Sequence, residues 1–245
     1  MPNGNAPSFL TAEWRFLAML NWEVERTLLE PFVPAGTELD DWNGRVYASV
    51  VGFLFRKTRV LGIPAPFHGE FEEVNLRFYV RRRTGSGIRR GVVFVKELVP
   101  RRLVALIARR AYHEKYLAVP MAHEIAFRPD RSPARVAYSW SHAGETARLR
   151  LATRPGLRPL ETGSVEEFLA EHCFGYVAQP GGATAEYAVE HPPWRTWAAE
   201  EARLEGGVAS LYGAVLASSI GRPPDVAFLA EGSGIRVRRG TRIDA

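Results

Sequence analysis

EFEEVNLRFYVRRRTGSGIRRGVVFVKELVP, residues Glu70 to Pro100, sets two apolar runs on either side of a turn built from Gly85, Ser86 and Gly87. Before the turn, Val74, Leu76 and Phe78 recur at every second position, the period of a pleated strand rather than of a helix. The small turn residues supply the tight reversal that joins two antiparallel neighbours. The stretch therefore predicts a β-hairpin, with Arg81, Arg82, Arg83, Arg89 and Arg90 clustered at its tip. It also commits the chain to antiparallel pairing.

The same alternation places Glu73, Asn75 and Arg77 in one row on one face, opposite Glu72, Val74, Leu76 and Phe78. Facing the interior, Arg77 could fork a carboxylate and Glu73 could carry a proton. Facing water, the row is the polar half of an alternating strand. Lys96, in VFVKELVP, poses the same choice between a cavity and an outer face.

Outward from the hairpin, the pattern repeats. WRFLAMLNWEV (Trp14 to Val24) reads as a strand, and VERTLLEPFVP as a short helix stopped by Pro31 and Pro34. Asn43-Gly44 marks a tight turn before a strand that begins at Val46. LVALIARRAYHEKY has the apolar spacing of a short helix, and three further strands follow in HEIAFRPD, RVAYSWSHAG and ARLRLATRPG. Ser164 with Glu167 has capping-box spacing and opens a helix expected over SVEEFLAEHCFGY. AEYAVEH, the turn HPPW and DVAFLAEGSGIRVRRG complete the series. Many strands with a few scattered helices predict one α+β domain over residues 1–245, mainly antiparallel sheet.

The chain has 245 residues, 46% hydrophobic, and a single cysteine, Cys173, so no internal disulfide can form and a reducing, cytoplasmic setting is expected. No segment has the roughly 18 apolar residues of a spanning helix, so no membrane partner is expected. The net charge of +5 comes from 32 basic residues, of which only Lys57, Lys96 and Lys115 are lysine. An arginine-rich tip without aromatic platforms or a reading helix argues against nucleic acid and for a solvated turn, with anion binding as the alternative. No phosphate-cradling glycine loop, dinucleotide fingerprint or G-x-S-x-G elbow occurs, and the histidines lack zinc-ligand spacing. Neither metal nor cofactor is expected.

Taken together, AEWRFLAMLNWEVERTLLEPFVPAGTELDDWNGRVYASVVGFLF, FEEVNLRFYVRR, RRGVVFVKELVPR, SVEEFLAEHCFGY and EYAVEHPPW resemble the YqjF-like bacterial family DUF2071, over about Phe9 to Arg239. That resemblance implies an acetoacetate decarboxylase-like fold, a cone- or barrel-like antiparallel sheet around a central cavity. It makes Arg15 the counterpart of the decarboxylase's pocket arginine and Glu73 that of its pocket glutamate. The decarboxylase carries two adjacent lysines, the first forming a Schiff base, its amine kept reactive by the second cation. Here Glu114 stands at the first position and Lys115 at the second. A carboxylate beside an ammonium stabilises the charged form, so the resemblance extends to the pocket more than to the reaction.

Arg15, between Trp14 and Phe16, needs a partner, for which Glu73 is the named candidate. His191 and Trp194, around two prolines, line a pocket mouth or close the end of a core. The expected function is binding or transforming a small organic acid or ketone, as a decarboxylase-like lyase or hydrolase. Glu73, Lys115 and Glu114 are then candidates for chemistry, and Arg15, Asn75, Arg77, Lys96, His191 and Trp194 for binding. A non-catalytic ligand-binding or accessory protein is the alternative, and an anion or nucleic-acid binder a third. Homo-oligomerisation is left open.

Overall fold

The structure, a computed structural model, describes residues 8–64, 69–101 and 115–243. Strands dominate and the helices are short, as the alternating patterns require. The first strand, Ser8–Val24, runs antiparallel to Val46–Val60 from Leu10↔Val60 to Val24↔Val46. Val46–Val60 pairs with Phe71–Thr84, which pairs in turn with Gly87–Val99 across the tight arginine turn. The decisive hairpin therefore forms where the alternation places it.

From Gly87–Val99 the circuit continues through a parallel contact, Phe174↔Gly91, to Phe174–Ala178. Thr184–Glu190 follows, then Gly234–Arg238, which lies against the first strand again. A second group of strands, Met121–Phe127, Pro133–His142, Glu145–Thr153 and Arg195–Gly206, forms an antiparallel sheet beside this circuit.

Two apolar clusters result. Val50, Leu54, Val74, Leu76 and Phe78 turn one way and pack with Tyr138, Trp140, Leu149 and Leu151 of the second sheet. Leu17, Met19, Val51, Phe53 and Tyr79 turn the other way and pack with Phe168, Leu169 and Trp194. The segment 73–80 is thus buried on both faces, and the polar row lies within it.

The short helix after Val24 is Arg26–Leu29, continued by a 3-10 turn at Glu30–Phe32. The predicted helix LVALIARRAYHEKY falls almost wholly on residues 102–114, outside the described residues, and its last residue, Tyr116, opens the strand Tyr116–Ala118. The helix expected over SVEEFLAEHCFGY is shorter than its sequence suggests, ending at Ala170. Its remainder becomes the strand Phe174–Ala178, because Gly175 lets the Tyr187 ring pack directly on the backbone and the Gly91 edge offers strand partners. Cys173 accordingly lies after the helix, not in it. Among the described residues, no helix is long and apolar enough to cross a membrane.

Candidate functional site

The site grows from the row on Phe71–Thr84. Glu73, Asn75 and Arg77 are 3%, 2% and 8% exposed. Asn75 donates its amide N–H to Glu73 Oε1 at 3.0 Å, and Tyr116 donates its hydroxyl to Glu73 Oε2 at 3.0 Å. Arg77 Nη2 donates to the carbonyl of Leu169 at 3.3 Å, which ties the row to the helix Val165–Ala170. Its guanidinium also lies 5.7 Å from the centre of the Tyr79 ring.

Burial pushes the Glu73 carboxyl up from the usual 4.5 to about 7, against the pull of the Asn75 and Tyr116 hydrogen bonds and the Arg77 cation. At neutral pH the group divides between acid and carboxylate.

Farther along the same face, Tyr79 and Ser49 share a 2.8 Å hydroxyl contact, and Ser49 donates to Asn21 Oδ1 at 2.6 Å. His172 lies over Tyr79, ring centres 4.7 Å apart, with Nε2 3.2 Å from Asp40 Oδ2. Burial outweighs the pull of Asp40 and keeps the imidazole neutral at pH 7, helped by the Arg77 and Arg90 cations. Burial also works against ionisation of Asp40, but His172, Arg90 and Arg81 together hold its carboxyl below the ordinary range. His172 therefore gives its Nε2–H to a carboxylate.

His191 stacks on Trp194 at 4.1 Å, 14° from parallel, and Trp194 donates its indole N–H to Ser233 Oγ at 2.9 Å. Burial lowers the His191 imidazole, and the Arg77 cation lowers it further. Glu73, His172 and His191 all feel Arg77, the hub of the cluster.

Three expectations change. Arg15 is 35% exposed at its side chain and binds Glu13 Oε2 at 3.1 Å and the Gly232 carbonyl at 3.2 Å, not Glu73. Glu13 and Arg15 lie two apart on the first strand, next to a kink at Phe16, whose φ is 56°. Lys115 is exposed, with its ammonium 5.4 Å from the centre of the Phe32 ring, while its neighbour Tyr116 reaches Glu73. Lys96 pairs with Leu76, on the face opposite the row. A bulge is the cause: Leu76↔Lys96 is followed by Arg77↔Phe94, so Val95 is an extra residue and the alternation inverts. Glu97, opposite Asn75 and buried, takes the place on the face of the row that unbroken alternation from Phe94 assigns to Lys96. Glu114 lies outside the described residues.

Sequence reasoning did not find Glu97, Tyr116, His172 or Asp40. For Glu97 a signal existed, its alternation with Lys96. None marks Asp40 and His172, which meet across 132 positions.

The arginine tip is matched by acids. Arg81 meets Glu38, Asp40 and Asp41, Arg83 meets Glu38, Arg90 meets Asp40, and both Arg82 and Arg89 reach the buried Glu186. A separate groove of about 510 Å³ lies at the Val24 and Val46 end of the first strand pair, where Arg222 pairs with Asp225 at 2.6 Å. It does not include the polar row.

Residues 11–234 match DUF2071, described as an uncharacterized conserved protein. The chain belongs to the DUF2071 family. It is 28% identical over 210 residues to the uncharacterized protein YqjF of Bacillus subtilis (strain 168), covering 84% of this chain and 82% of YqjF. Among solved structures, an acetoacetate decarboxylase-like enzyme from Sphingomonas wittichii RW1 superposes with a TM-score of 0.66 at 16% identity, covering 97% of this chain and 94% of that one. The enduracididine biosynthesis enzyme MppR, complexed with pyruvate, gives 0.68 at 12% identity, covering 99% and 95%. This DUF2071 chain therefore has the acetoacetate decarboxylase-like fold.

Proposed function

We propose that this chain holds a small organic acid in a pocket enclosed by a barrel-like sheet, with Arg77 as the carboxylate clamp and Glu73 as the group that takes or gives a proton. One observation carries the reading. Arg77 is buried beside Glu73, and its Nε–H has no hydrogen-bond partner among the described residues. A buried guanidinium with an unmatched N–H is set to donate to a carboxylate oxygen, the geometry guanidinium forks favour. The circuit of strand pairings supports a barrel-like enclosure, and the MppR neighbour complexed with pyruvate supports an organic acid of small size.

The chemistry that fits is acid–base rather than amine-based. Glu73, near 7, can serve as either acid or base at neutral pH. Lys57 pairs with Glu13, Lys96 turns to the opposite face and Lys115 is exposed near Phe32, so no lysine is placed in the row. That placement also favours a second reading, ligand binding without turnover.

Calorimetric titration with pyruvate and with acetoacetate tests the clamp. Binding should weaken at least tenfold in Arg77→Ala and persist in Glu73→Gln, and borohydride should trap no lysine adduct by intact mass. Equal affinity in wild type and Arg77→Ala would overturn the clamp, and an adduct at any lysine would restore amine chemistry.

A further inference from the structure

Besides the Arg77 N–H, Asn75 Oδ1 and His172 Nδ1 are buried polar atoms without a hydrogen-bond partner among the described residues. All three residues are more than nine-tenths buried. Their hydrogen-bonding characters are fixed by what they already bind. Arg77 Nε–H can only donate. Asn75 gives its amide N–H to Glu73, which leaves its carbonyl oxygen as an acceptor. His172 gives Nε2–H to Asp40, so on the neutral ring Nδ1 carries a lone pair and accepts.

Their order along the strand matters. Asn75 precedes Arg77 by two positions, and His172 lies over Tyr79, which follows Arg77 by two. In strand order, the residue with the unmatched donor falls between Asn75 and the Tyr79 ring on which His172 lies. The Leu169 carbonyl that Arg77 grips is three residues before His172, so strand and helix bring these groups to one place.

Building on the reading of Arg77 as a carboxylate clamp, we infer that the ligand is a hydroxy acid, a small organic acid that presents both a carboxylate and a hydroxyl donor. A ketone or simple keto acid offers acceptors only. It would match Arg77 and leave both acceptors, on Asn75 and His172, buried and unmet, whereas a single hydroxyl proton meets one of them; each buried polar group left unmet is costly. An amino acid could also donate, but its ammonium would lie beside the Arg77 cation and depend on a Glu73 carboxyl whose burial favours the neutral form. A hydroxyl donates without charge.

Titration calorimetry on matched acids separates the possibilities: lactate, pyruvate, propionate and alanine as one series, 3-hydroxybutyrate, acetoacetate and butyrate as another. In at least one series the hydroxy acid should bind ten times or more tighter than its keto and alkyl analogues. That advantage should fall to within threefold in Asn75→Ala or in His172→Ala. If His172→Ala does not fold, the wild-type ranking and Asn75→Ala decide. Keto or alkyl acids binding as tightly as hydroxy acids, alanine binding tightest, or an advantage that survives in every folded variant would overturn the inference. Equal binding of all acids that still depends on Arg77 would leave the clamp standing and remove only the hydroxyl. No binding by any acid would remove both.

Discussion

At pH 5 the buried Glu73 carboxyl is mostly protonated, and by pH 8 it must be ionised in a place that solvates it poorly. Its value in the folded chain, about 7, lies above the 4.5 of the unfolded chain. The folded state therefore prefers the proton. Stability from this group is full below about 4.5 and is lost as pH rises through 7. Over that window wild type should lose up to about 3 kcal/mol that Glu73→Gln does not lose. Urea melts at pH 5 and pH 8 check it, and equal pH dependence in the two proteins would show that Glu73 does not titrate as its burial implies. The candidacy of Glu73, Asn75 and Arg77 was legible in the strand period alone, since i, i+2 and i+4 share a face. Which way that face turns was not, because an alternating strand reads the same with either side inward.

The helix Val165–Ala170 has only six residues, yet it holds both the carbonyl that Arg77 grips and the approach to His172. Its start was legible: Ser164 Oγ accepts from the Glu167 N–H at 3.1 Å, and Glu167 in turn accepts from the Gly163 N–H at 2.7 Å. Removing that cap in Ser164→Ala should cost about 1 kcal/mol. Because so short a helix leans on its cap, the same variant should also weaken organic-acid binding; thermal melts with and without pyruvate read both effects. A melting point unchanged from wild type would mean that packing of Phe168 and Leu169 alone holds the helix. Its end was not legible, since apolar spacing runs on through Phe174 while tertiary strand partners claim the backbone. The bulge at Val95 is similar: no residue in VFVKELVP announces it, and it decides that Glu97 rather than Lys96 shares the face of Asn75.

On the scale of the molecule, the circuit of strands and the second sheet meet where side chains leave room. Gly52 is one such place, directly under the Tyr138 ring, whose hydroxyl donates to the Phe16 carbonyl at 2.9 Å. A Cβ there would lie 2.5 Å from Tyr138 Cδ2, so Gly52→Ala must push the two layers apart. The expected loss is about 1–3 kcal/mol, read from chemical denaturation. A loss below that range would show that the ring can shift aside.

Local periodicity, turn chemistry and capping by themselves determined an antiparallel α+β chain, the arginine hairpin and the polar row, because each depends on residues within a few positions of one another. Family resemblance carried in the same residues pointed to the fold. Only the tertiary structure decided that the row is buried, that Arg15 pairs with Glu13, that Lys115 is exposed, and that Asp40 and His172 meet beside Arg77. Those outcomes depend on strand register and on contacts between residues far apart in the chain, and a one-residue change of register reverses the face of every side chain that follows.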